Sequence, residues 1–303
     1  MPAPLVVIHA GAGRKFGTAS EQEDRSRAAL IEALDAARAV LEADGHARAA
    51  VEAAVRVLED FELFNAGRGA VLCANGSVEL SAALMSSDAA AGAVAGISRT
   101  RSPIAGARAV LDSAQVLMVG PAADQLAAAA GAEQVDPSYF LTDRERLRLL
   151  DPPTNPDHQT VGAACLDRDG NLAAGTSTGG IRAQPPGRVG DCPLIGAGTW
   201  ADPRVAVSCT GDGEAFIRAG AARYIGAQVE YGAELAEAAQ RTLDTVRSLG
   251  GRGGLIALDV FGNAVMPFNT GGMARGFWRE GRAPEAWVTE EEPQARLLDP
   301  ESA

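Results

Sequence analysis

A layered α+β architecture, with antiparallel sheets covered by helices, follows from three features of the 303-residue sequence. Hairpin signals occur in both halves, pairs of amphipathic helical stretches lie between them, and strand and helix do not alternate strictly as a parallel doubly wound sheet would require. With 47% apolar and 22% charged residues, the chain can bury a sizeable core unaided.

Taken in order, Pro4 to His9 is an apolar, β-like run, and Gly11-Ala12-Gly13 reads as the turn that ends it. Ser20 with Glu23 predicts a capping box, after which Ala28, Ile31, Leu34, Ala37, Val40 and Leu41 recur at helical spacing up to Gly45. A second helix is predicted over Ala47 to Asp60. The next segment reads as a hairpin, with a strand around Ala70 to Cys73, an Asn75-Gly76 turn and a strand from Val78. Helices are expected over Pro103 to Ala114, Pro121 to Ala130 and Thr142 to Leu150. Asp151 to Gln159, with three prolines and no apolar side chain, predicts an exposed linker. Beyond it the pattern changes to strand (from Thr160), an Asp169-Gly170 turn, and strand (Leu172 to Thr178). Two helices, Glu214 to Val229 and Ala233 to Ser248, precede a hairpin around Phe261-Gly262-Asn263.

Composition excludes several functions. Acids exceed bases 39 to 27, for a net charge of −12, which opposes non-specific nucleic-acid or anionic-membrane binding. Cys73, Cys165, Cys192 and Cys209 form no C-x-x-C pair and read as reduced thiols. The N-terminus lacks a signal-peptide pattern, and no apolar run approaches the roughly 18 residues of a membrane span, so a soluble, cytoplasmic protein is expected. His9, His46 and His158 are the only histidines and lack zinc-ligand spacing. His9 and His46 read as packing or surface residues. Gly11-Ala12-Gly13 is half of a dinucleotide fingerprint, but Gly17 follows one residue too late.

What the chain does offer is a dense set of hydroxyl and glycine residues after the proline linker: Thr160, Ser177-Thr178-Gly179-Gly180 and Thr210-Gly211-Asp212-Gly213-Glu214. A threonine hydroxyl becomes a competent nucleophile only beside a base. The residue's own α-amine, with a pKa of about 7.7–8.0, is such a base once the chain is cut before it.

These motifs resemble the plant-type L-asparaginase/isoaspartyl peptidases, a family of N-terminal-nucleophile hydrolases. The resemblance spans nearly the whole chain: HAGAG and LFNAGRGAV upstream, His158 to Gly180 as its strongest segment, then PGRVGD (Pro186 to Asp191), GAG (Gly196 to Gly198), TGxGE (Thr210 to Glu214), GGLIALD and PFNTGGM. It implies a single domain with a four-layer αββα sandwich, two mainly antiparallel sheets between helix layers. It further implies autocleavage between Gln159 and Thr160 into an α-subunit (1–159) and a β-subunit (160–303), with two such heterodimers assembling. Thr160 would be the nucleophile, Thr178 its orienting partner, and Thr210 Oγ with the Gly211 N–H the oxyanion hole, where one donor is typically worth about 2.7–4 kcal/mol. Arg188 would take the substrate's α-carboxylate and Asp191 its α-ammonium, Gly213 would pass close to the ligand, and Asn65 would lie near the nucleophile. The resemblance adds a structural sodium on the backbone carbonyls of Leu58, Glu59, Phe61, Phe64, Ala66 and Arg68, and no catalytic cofactor. The implied reaction is hydrolysis of β-aspartyl dipeptides and L-asparagine. The alternatives are a glycosylasparaginase-like hydrolase and an unprocessed relative that only binds amino acids.

Several positions depart from the family pattern. Ala10 stands in the usual H-G-G-A-G loop, Gln159 precedes the cut where Gly, Asp or Asn is usual, and Ser81 and Ser86 replace aspartates. Asp212 brings a carboxylate into TGxGE, which the sequence places near the oxyanion hole. His158, beside the cut, is a candidate for assisting it.

Overall fold

A computed structural model describes residues 3–13, 20–150 and 159–288. β1 (Leu5–Ala12) leads through α1 (Ser20–Glu42) and α2 (Ala47–Asp60) to the hairpin of β2 (Leu80–Ser86) and β3 (Ala91–Ile97). Next come α3 (Pro103–Leu111), β4 (Leu117–Val119), α4 (Gly120–Ala129) and α5 (Asp143–Leu150). The chain resumes with β5 (Val161–Leu166), β6 (Leu172–Thr178), β7 (Thr199–Ala201) and β8 (Val205–Gly211). α6 (Gly213–Ala219), α7 (Ala221–Glu230) and α8 (Leu235–Ser248) follow, then β9 (Gly253–Asp259), β10 (Ala264–Val265), β11 (Met273–Arg279) and β12 (Glu285–Trp287).

Eight strands form one sheet in the order β12-β11-β1-β5-β6-β2-β3-β4, and four form a second in the order β10-β9-β8-β7. Neighbouring strands are antiparallel except β3 and β4. The period-two alternation of side chains sets the layers. Val6 and Ile8 of β1 and Val161, Ala163 and Cys165 of β5 face the helices, packing with Leu34 of α1 and Val51, Val55 and Leu58 of α2. The alternate residues Leu5, Val7, Ala164 and Leu166 face the second sheet and meet Ala206, Ile256 and Leu258. Val205, Val207 and Cys209 turn outward to Phe216, Ile225 and Leu243. The result is an αββα sandwich, as expected. Because β1 is covered on both faces, its sequence is a continuous apolar run rather than an alternation.

The sequence places α2 correctly at both ends, since buried Ala47, Ala50, Val51, Ala54, Val55 and Leu58 follow one helical stripe. Three expectations are corrected. Ala70 to Cys73 form no strand: Ala183 N–H donates to the Leu72 carbonyl and Ala74 N–H to that of Gln184, so this arm pairs with the loop after β6. Gly11-Ala12 is not a turn but the irregular end of β1, where the register with β11 shifts between His9 and Ala12. The stretch from Glu214 to Val229 is two helices, broken at Gly220, which adopts φ +57°. The linker residues 151–158, including His158, and the Ser20 side chain of the expected capping box lie outside the described residues.

Candidate active site

Strand register assembles the site. β5 and β6 pair Val161 with Ser177 and Gly162 with Thr176, so one step further Thr160 stands opposite Thr178. Both belong to the inter-sheet face of their strands, as does Thr210 on β8, two residues beyond Ser208. The buried Thr160 hydroxyl donates to Thr178 Oγ at 3.1 Å. Thr178 Oγ also accepts the Gly180 N–H at 3.0 Å and lies 3.5 Å from the Gln159 carbonyl oxygen. Asn65 converges on the same point: its Nδ2 donates to the carbonyls of Gln159 and Gly180, each at 2.7 Å, while its Oδ1 accepts the Val71 N–H at 2.9 Å. The carbonyl ahead of Thr160 is therefore polarised by a fixed amide. Gly11 lies so close that a Cβ there would sit 2.9 Å from Gln159.

Thr210 Oγ is fully buried and has no hydrogen-bond partner among the described residues. A buried hydroxyl without a protein partner calls for one outside the protein, a water, an ion or a ligand. Its neighbour Gly211 adopts φ +148°, and a Cβ there would lie 2.3 Å from the Arg252 carbonyl oxygen. Asp212 is tied to the same loop: its carboxylate accepts the Arg252 N–H at 2.7 Å, and its own N–H donates to the Arg252 carbonyl.

Arg188 and Asp191 come together on the loop after β6, with Gly213 against both. A Cβ at 213 would lie 2.9 Å from an Arg188 nitrogen and 2.9 Å from Asp191 Oδ1. The Arg188 guanidinium makes two 3.0 Å bonds to the carboxylate of Glu214, a half-exposed residue at the start of α6. Sequence reading gave Glu214 no role, because the pair spans 26 residues between a loop and a helix start. Asp191 is buried, and its Oδ2 has no partner among the described residues. Burial pushes its pKa up to about 7, against the pull of its own backbone N–H and of Arg188. Ionising Asp191 thus costs the fold nothing below its unfolded value near 3.9 and the full amount above about 7. If Asp191 binds an ammonium group, its ionisation near 7 adds to that of the Thr160 amine implied above, so the acid limb of kcat/KM for L-asparagine is steeper than one ionisation gives, and Asp191→Asn leaves a limb of a single ionisation. Initial-rate pH profiles of both proteins check this.

Of the six carbonyls that the resemblance assigns to a sodium ion, that of Glu59 lies 2.6 Å from a would-be Cβ at Gly67 and that of Phe64 2.1 Å from one at Gly69, while those of Phe61, Phe64 and Ala66 accept the backbone N–H groups of Phe64, Ala66 and Gly69. Glu59's own carboxylate faces away from such a role. It accepts the Ile104 N–H at 2.9 Å and the Ser102 hydroxyl, capping α3, and burial raises its pKa to about 7. Among the described residues no three His, Cys, Asp or Glu side chains form a metal-binding group.

The departures are absorbed locally. Ala10 packs its methyl into the helix-facing core, and Ser81 stands across from Thr178 in the β2–β6 register. Ser86 donates to Asp88 Oδ1 at 2.6 Å. Among the described residues no helix is long and apolar enough to cross a membrane.

Comparison with known proteins agrees with this geometry. Residues 2–288 match the Asparaginase family profile. The isoaspartyl peptidase of Escherichia coli (strain K12) is 44% identical over 96% of this chain and 98% of its own length. The isoaspartyl peptidase/L-asparaginase of Bos taurus is 37% identical over 92% of this chain and 94% of its own. The probable isoaspartyl peptidase/L-asparaginase 2 of Arabidopsis thaliana is 36% identical over 89% and 94%. With a strand-initial threonine, a buried orphan hydroxyl and an Arg–Asp loop in place, and a family match covering nearly its whole length, the chain belongs to the Asparaginase family.

Proposed function

We propose that this protein is a self-cleaving amidohydrolase that converts β-aspartyl dipeptides and L-asparagine to L-aspartate through an ester on Thr160. The carrying observation is the Thr160 hydroxyl at the start of β5, beside a Gln159 carbonyl held by Asn65. In maturation, Thr160 Oγ attacks the Gln159 carbonyl carbon. The Gln159–Thr160 C–N bond breaks as the Thr160 nitrogen takes a proton, and water hydrolyses the resulting ester. The products are a Gln159 carboxylate and a free Thr160 amine.

In turnover that amine accepts the proton of Thr160 Oγ as the oxygen attacks the substrate's side-chain carbonyl. Thr178, bonded to the nucleophile, holds its rotamer, and Thr210 Oγ with the Gly211 N–H donates to the developing oxyanion. The leaving ammonia or peptide amine takes the proton back, and a water deprotonated by the same amine releases aspartate. Substrate enters by pairing its α-ammonium with Asp191 and its α-carboxylate with Arg188. Glu214 occupies that guanidinium until then. Its half-exposed ion pair is worth little, of order 0–1 kcal/mol, so a substrate carboxylate can compete for the fork. A sodium ion on the 58–68 carbonyl loop would be structural, holding the segment that delivers Asn65, and takes no part in the chemistry. A cytoplasmic dimer of heterodimers completes the reading.

Denaturing electrophoresis with intact-mass analysis tests it directly. Two fragments of 159 and 144 residues, the smaller beginning Thr-Val-Gly, are expected from freshly purified active protein. Full activity in an uncut chain overturns the assignment.

A further inference from the structure

Behind the nucleophile, one row of the large sheet reads His9 on β1, Gly162 on β5 and Thr176 on β6, each paired with the next in register. Gly162 leaves a slot between its neighbours, and Ser208 of the second sheet fills it: a Cβ on residue 162 would lie 2.0 Å from Ser208 Oγ. From that slot Ser208 Oγ reaches His9 Nε2 at 2.9 Å and Thr176 Oγ at 2.7 Å. Thr199 continues the line, 2.6 Å from Thr176 Oγ and 3.1 Å from the Cys192 carbonyl oxygen. His9, Ser208, Thr176 and Thr199 are all fully buried. The line thus starts at an imidazole that also meets the Thr160 backbone and ends at the residue after Asp191.

Burial holds the His9 pKa down to about 3, so the ring is neutral and carries one N–H, and each of the three hydroxyls brings one proton to the line.

We propose that His9, Ser208, Thr176 and Thr199 are positioning residues, an ordered hydrogen-bond line that locks the nucleophile strand to the substrate-binding loop across the two sheets. This rests on the roles given above to Thr160 and Asp191. Because every member is buried and the order is cooperative, one break disorders the whole line. A nucleophile displaced by a fraction of an ångström then loses rate rather than fold.

Paired substitutions test it with a β-aspartyl dipeptide. Thr176→Val and Thr199→Val keep shape and remove a hydroxyl; Thr176→Ser and Thr199→Ser keep the hydroxyl and remove a methyl. The line predicts a roughly tenfold fall in kcat for each Val variant, no further loss in the double Val variant, and Ser variants within about twofold of wild type. A pure packing role predicts the reverse ranking. Val variants with wild-type kcat, or Ser variants as slow as Val, overturn the proposal, as do independent, multiplying effects in the double variant. If Val at 176 prevents folding, Ser208→Ala cuts the same line and is read by the same criterion. Electrophoresis separates the two levels of failure. An active wild-type enzyme without a chain beginning at Thr160 removes the underlying assignment, whereas a correctly cut, fast Val variant removes only this proposal.

Discussion

Thr160→Ala is expected to leave one uncut 303-residue chain with no measurable hydrolysis of L-asparagine or β-aspartyl dipeptide. A single oxygen atom carries both reactions in the proposed mechanism, so its removal closes both at once. Losing the nucleophile of an acyl-transfer enzyme costs on the order of 10⁶ in kcat. The fold should barely register the change. Among the described residues Thr160 Oγ makes one hydrogen bond, to Thr178, and such bonds contribute about 1 kcal/mol net. A thermal melt within a few degrees of wild type, beside a complete loss of cleavage and turnover, is the diagnostic combination. Thr160→Ser retains the oxygen and should still cut itself. Hydrolysis that survives Thr160→Ala places the chemistry elsewhere.

The parts of the fold written in local pattern were legible in the sequence, and those written in tertiary context were not. α2 carries one apolar stripe and was bounded at both ends, and β6 was placed residue for residue. β3, with the sequence AGAVAGI, shows neither alternation nor β-branched enrichment and becomes a strand because β2 pairs with it and α3 covers it. The three-residue strands β4, β7 and β12 are too short to show a period. In the site, Thr160, Thr178, Thr210, Arg188 and Asp191 stood out because hydroxyl-rich glycine motifs and a resemblance marked them. Glu214 on Arg188 and Ser208 in the Gly162 slot did not, since each contact joins residues 26 or more apart in sequence. Sequence also placed Asp212 near the oxyanion hole, whereas its carboxylate is engaged by the Arg252 backbone. Its effect on the reaction is therefore weaker than the bare motif suggests.

Thr210→Val should make the protein more stable and far slower, two changes that only a catalytic role joins. The Thr210 hydroxyl is buried without a partner among the described residues, and an unsatisfied buried polar group costs about 1–3 kcal/mol. Valine fills the same volume without that cost, so the melting temperature should hold or rise. If the hydroxyl instead serves the fold, the same substitution lowers it. The rate should move the other way, because losing one preorganised donor to an oxyanion costs about 10²–10³ in kcat, with KM little changed. Maturation gives an independent control. The Gln159 carbonyl takes its hydrogen bond from Asn65, not from Thr210, so the Thr210→Val chain should still cut itself into two fragments. Asn65→Ala should do the opposite and slow the cut while leaving the Thr210 hydroxyl in place. Differential scanning calorimetry, electrophoresis over time and steady-state kinetics on the two variants resolve the pattern. A Thr210→Val enzyme with wild-type kcat would move the oxyanion site away from the end of β8.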